Sequence, residues 1–146
     1  MDLTPLFSPE QKRFFQNRRV AHLATVSPAG HPYIIPVCFA FDGQHIFSVI
    51  DEKPKSVEAQ RLRRVRNILL NPKVSLVADH YSDDWSKLGY VLVFGRAQVV
   101  EGGPVAHEAM LLLREKYLQY RHMALEDRPL LVITPERVTS WGRLDA

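Results

Sequence analysis

Apolar residues in this chain come in short blocks of strand length, separated by turn-forming residues. Val20 to Ser27 is small and β-branched, Pro28-Ala29-Gly30 supplies turn chemistry, and His31 to Phe41 is apolar again, a pattern that predicts a hairpin. Asp42-Gly43 is a two-residue turn signal, and His45 to Ile50 reads as a third strand, so an antiparallel meander is expected. Lys73 to Asp79 and Leu88 to Val100 follow as strands four and five, with Gly95 expected at a bulge or barrel bend. A last strand pair, Leu130 to Thr134 and Arg137 to Trp141, is interrupted by Pro135-Glu136.

Three segments switch to helical spacing. Ser8-Pro9-Glu10-Gln11 combines a capping serine, proline at the first helical position and glutamine three residues after the cap, which predicts a helix to about Asn17 with Phe14 and Phe15 on the barrel. Ser56 can cap a helix that runs to about Leu70, with Leu62, Val65 and Leu69 as its buried stripe, before Asn71-Pro72 ends it. Gly102-Gly103-Pro104 opens a third helix to about Tyr120, amphipathic through Val105, Ala109, Leu112 and Leu113. Some six antiparallel strands with helices after the third and fifth predict a mainly β protein, a small closed or split barrel in which closure removes exposed edges.

With 146 residues, 46% of them hydrophobic and 24% charged, residues 1–146 are expected to form one globular domain. The longest apolar runs, such as Leu130 to Ile133, fall far short of the roughly 20 residues a spanning helix needs, so no membrane is expected. Met1-Asp2-Leu3-Thr4-Pro5 shows no secretory pattern, which leaves a cytoplasmic location as the expectation. The single cysteine, Cys38, lies in an apolar run and reads as a core residue, and the six histidines lack metal-site spacing, so no metal is expected.

Charge changes this picture locally. The net charge is only +3, yet Lys53, Lys55, Arg61, Arg63, Arg64 and Arg66 fall within fourteen positions. Arg61 with Arg64, and Arg63 with Arg66, are three apart, so each pair can share a helix face and converge on one anion, phosphate being the natural one. A solvated helix face accounts for the same pattern equally well. Nucleic acid is disfavoured, because the patch lacks interleaved aromatics for base stacking. No G-x-G-x-x-G, Walker or G-x-S-x-G motif is present, so a phosphate would be held by side chains and nucleophilic hydrolysis has no support. Asp83-Asp84 reads as a solvated pair in a loop, while Trp85 and Trp141 either pack or wall in a planar ring.

Taken in order, Ala24 to Pro32, Pro36-Val37-Cys38-Phe39, Asp42-Gly43 with Ile46-Phe47-Ser48, and Arg64 to Leu76 resemble the pyridoxamine 5'-phosphate oxidase-like split barrels, and within them the F420-dependent subgroup. The resemblance implies an FMN-binding-like fold, a homodimer with cofactor at the subunit interface, and hydride transfer between coenzyme F420, or alternatively FMN, and a small organic substrate. It implies that Lys55 and Arg64 hold the phosphate with Lys53 and Arg61 as helpers, and that Pro36, Val37, Ser48, Val49 and Ile50 line the ring or bond its rim. Asn67 would support the helix, and Trp141 would approach the cofactor from the other protomer. The arginine and lysine set that true pyridoxamine phosphate oxidases carry on strand two is missing from Ile34 to Phe39. A non-catalytic carrier of the cofactor, or of a ligand such as haem, is the reading from another functional class.

Overall fold

The computed structural model describes residues 5–51 and 62–145. Seven strands form one antiparallel sheet: β1 (Ala21–Val26), β2 (Pro32–Val37), β3 (Ala40–Phe41), β4 (Ile46–Val49), β5 (Lys73–His80), β6 (Gly89–Val100) and β7 (Leu130–Gly142). They lie in the order β2-β1-β5-β6-β7-β4-β3. Helices α1 (Pro9–Asn17), α2 (Arg63–Leu70) and α3 (Gly103–Lys116) decorate the sheet.

The strand expected from His31 to Phe41 is divided. Its first half pairs with β1 and its last two residues pair with β4, so the expected meander becomes the two opposite ends of the sheet. Only Cys38 and Phe39 separate those ends in sequence, and the sheet must curl until they meet. This is the split barrel, with seven strands rather than six. The expected final pair is instead one strand, β7, that follows β6 along its whole length. Pro135 is tolerated there because the register shifts between Phe94 and Gly95, and a bulge absorbs the ladder bond that proline cannot make.

Alternation then sorts the side chains. β4 is buried on both faces: Ile46 and Ile50 look into the barrel with Leu23, Phe39, Leu76, Leu131 and Ile133, whereas Phe47 and Val49 pack with Leu130 and Val132 under Ala109, Met110 and Leu113 of α3. α1 begins with the capping box its sequence announces, Gln11 N–H donating to Ser8 Oγ at 3.0 Å and Ser8 N–H to Gln11 Oε1 at 2.9 Å. It drives Phe14 and Phe15 into the barrel, where Phe15 meets Phe39 and Phe41 at ring-centroid distances of 4.8 and 5.3 Å.

The other helices depart from expectation in detail. Ser56 lies outside the described residues, and the described part of α2 buries Arg64, Val65, Asn67 and Ile68, while Leu69 is 58% exposed. Of the expected stripe, Val65 is buried and Leu62 packs against the core; only Leu69 fails, its place taken by Ile68. α3 ends at Lys116, and Leu118–His122 continues as a short 3₁₀ turn. Its buried stripe is Ala106, Ala109, Met110 and Leu113, with Val105 exposed. On β2 the outward residues are Pro32, Ile34 and Pro36, so two of the backbone positions on this terminal strand have no N–H.

Gly95 sits where a side chain cannot. A Cβ there would lie 2.3 Å from the Thr134 carbonyl oxygen, a backbone atom that cannot swing away. Gly95→Ala is therefore expected to lower the unfolding free energy by about 1–3 kcal/mol, the usual cost of overpacking, in a denaturant titration.

Candidate functional site

Where β2 hands over to β3, the ends of β2 and β4 leave a cavity of about 160 Å³ lined by Val20, Pro36, Val37, Cys38, Ser48, Val49, Asp51 and Arg64. Five residues singled out in the sequence, Pro36, Val37, Ser48, Val49 and Arg64, thus share one wall. Arg64 is only 6% exposed even though it is an arginine on a helix, because α2 turns this side chain into the barrel end instead of toward water. Ser48 donates to the Cys38 carbonyl at 2.9 Å, which fixes the handover from β2 against β4. Asn67 is buried and its amide donates to Thr25 Oγ1 at 3.0 Å, tying α2 to β1 one helical turn from Arg64.

Ile50 does not join them. It is fully buried in the barrel, and its N–H donates to the Pro129 carbonyl at 2.9 Å. Lys53, Lys55 and Arg61 lie outside the described residues. Trp141 is far along β7, 56% exposed, and stacked on its cross-strand partner Tyr90 at 6.1 Å. Arg63 and Arg66 point the other way from Arg64, to a smaller cavity of about 110 Å³ shared with Ser27, Pro28, Asn67 and Leu70. The described arginines of the basic segment therefore line two different cavities from one helix.

Three cavity residues, Val20, Cys38 and Asp51, were not anticipated as such. Cys38 is partly buried, packs against the core beneath α3 as expected, and also contributes to the cavity wall where the strand breaks. Asp51 reads in sequence as the first residue of a charged loop, yet its carboxylate receives the Tyr120 hydroxyl at 2.5 Å. The partner lies 69 positions away, in the 3₁₀ turn after α3, and no local pattern reports such a contact.

The handover is held from behind by the end of α3. Lys116 Nζ donates to the Phe39 carbonyl at 2.9 Å and lies 3.8 Å from the Phe39 ring centroid. The Tyr117 hydroxyl accepts from Phe39 N–H at 3.0 Å and donates to the Arg19 carbonyl at 2.8 Å. Burial, then the charge of Arg19, brings the Lys116 ammonium down to about 8. Burial pushes the Tyr117 phenol up to about 12. Burial and then the bond to Asp51 hold the Tyr120 phenol well above its ordinary range, so it stays a donor.

A curled antiparallel sheet of this order, with its opening at the β2–β3 handover, defines a split β-barrel protein. The comparison of sequences then gives the family: residues 7–142 match the pyridoxamine 5'-phosphate oxidase family, and the chain belongs to it. No curated protein matches the chain in sequence. Among solved structures it is similar to a conserved hypothetical protein from Mycobacterium tuberculosis (22% identity, 97% of this chain and 89% of that one, TM-score 0.75). It is also similar to a protein described as an F420 reductase (21% identity, 88% and 94%, TM-score 0.63). A third is HutZ, the haem storage protein from Vibrio cholerae (21% identity, 95% and 95%, TM-score 0.70). At these identities the likeness is one of fold. Among the described residues no helix is long and apolar enough to cross a membrane.

The clamp on Phe39 should be visible in stability against pH. An unfolded Lys116 keeps its proton to about pH 10.5, whereas the folded chain releases it near 8. The unfolded state then binds more protons between those values, and the Lys116 contribution rises with pH across that window. Tyr117 acts oppositely, losing stability as pH climbs from 10 to about 12. In chemical denaturation, Lys116→Met should abolish the rise relative to wild type between pH 8 and 10. Tyr117→Phe should cost about 1–3 kcal/mol at pH 7, because Phe39 N–H is left without its acceptor.

Proposed function

We propose that the chain is a homodimeric oxidoreductase that uses coenzyme F420 to exchange hydride with a small organic substrate. The observation that carries this reading is the buried guanidinium of Arg64 at the wall of a cavity that it shares with Pro36, Val37 and Val49. Taking that cation out of water is costly, and an anionic group in the cavity offsets the cost with charge-assisted hydrogen bonds. Pro36, Val37 and Val49 give the apolar surface on which the flat part of such a ligand can rest, and Ser48 keeps that surface in register.

The size of the cavity bears on assembly. About 160 Å³ is below the roughly 300–1,000 Å³ of a complete small-molecule site, so the described residues of one chain enclose only part of such a ligand. Exposed apolar residues, Val20 at 45% in the cavity wall and Ile34 at 62% two residues before Pro36 on β2, favour a second copy as the other wall. An exposed Trp141 from that copy is the side chain suited to covering the ring.

F420 is preferred to FMN because of the second arginine pair. Arg63 and Arg66 line their own cavity within one helix diameter of Arg64, and the anionic tail beyond the F420 phosphate has a use for them, whereas FMN ends at one phosphate. When bound, the deazaflavin supplies the hydride chemistry; the chain contributes orientation, charge and exclusion of water. Haem fits less well, since among the described residues no histidine lines the cavity.

Titration of the purified dimer with F420 and with FMN tests the reading. Tight F420 binding, with Arg64→Ala weakening it by about 1.5–3 kcal/mol, is the expected result. Arg63→Ala together with Arg66→Ala should weaken F420 but leave FMN unchanged. A monomer in sedimentation equilibrium, or no affinity for either cofactor, sinks the proposal.

A further inference from the structure

Asp51 is an unexpected neighbour for Arg64. Both line the cavity of about 160 Å³, and a carboxylate in so small a space lowers its affinity for a bare anion. Asp51 is nevertheless held in place from another element. Tyr120, buried beneath the end of β4 and packed on Tyr117 at 5.4 Å between ring centroids, donates its hydroxyl to Asp51 Oδ2. That bond uses one carboxylate oxygen, and among the described residues no hydrogen bond reaches Oδ1. Ser48 has already committed its proton to the Cys38 carbonyl.

The cavity therefore presents a fixed acceptor and a cation side by side. A ligand that satisfies both carries hydroxyl donors on the atoms that lead to its anionic end. Deepening the cofactor reading above, on which it rests, we infer that Asp51 is a specificity-determining residue: its carboxylate accepts from the hydroxyls of a polyol tether whose terminal phosphate faces Arg64. F420 and FMN share such a tether, a ribityl chain ending in phosphate. Haem, whose propionates bring further carboxylates and no hydroxyl, is repelled by the same group.

The test uses ligands that separate tether from phosphate. Riboflavin and 8-hydroxy-5-deazariboflavin keep the ribityl chain and lack phosphate, and lumiflavin has neither. The dimer and its Asp51→Asn and Tyr120→Phe variants are titrated with each, and with hemin. Asp51→Asn should weaken the ribityl ligands by about tenfold or more, the loss of a hydrogen bond to a charged acceptor, and leave lumiflavin unchanged. Hemin should bind the variant more tightly. Tyr120→Phe, which removes one hydroxyl from a well-packed ring, should shift the same ratio in the same direction and carries the test if Asp51→Asn does not fold. Equal changes for ribityl ligands and lumiflavin, or no change for either, would overturn the assignment while leaving the cofactor reading standing. Absence of F420 and FMN binding to the wild-type dimer overturns both.

Discussion

The barrel of this protein depends on what happens to one peptide backbone, that of Phe39. A sheet whose first and last strands are consecutive in the chain can close only through residues that leave the ladder, and those residues carry N–H and C=O groups into a buried place. Lys116 and Tyr117 answer both groups of Phe39. Burying an ammonium and a phenol there costs something, which the lowered Lys116 and raised Tyr117 pKa values record. In return α3 is fastened to the barrel at the point where β2 ends, and the cavity wall formed by Val37, Cys38 and Ser48 inherits a fixed shape.

Much of this was legible in the residues. The capping box of α1, the β1–β2 hairpin, the bend at Gly95 and the helices after the third and fifth strand blocks all follow from local chemistry, and the structure has them. The division of the His31 to Phe41 strand was not legible, because apolar alternation runs straight through Cys38 and nothing local marks a change of partner. The unbroken β7 was hidden for the converse reason: Pro135 is a breaker by composition, and only its position opposite Gly95 makes it acceptable.

The candidate site divides along the same line. Arg64 stood out through charge density and helical spacing, and of the apolar stripe expected on α2 only Leu69 fails. Asp51 and Cys38 enter the cavity through tertiary contacts with Tyr120 and with the strand break, and sequence spacing carries no information about either. Local patterns located the cation; long-range packing placed a carboxylate in the same cavity.

The prolines of β2 have a consequence for how copies of this chain can meet. Pro32 and Pro36 fall on a terminal strand, where backbone donors would otherwise invite another strand to dock and extend the ladder indefinitely. With those two donors removed, an added strand would lose part of its ladder at this border, which blunts the edge against open-ended pairing.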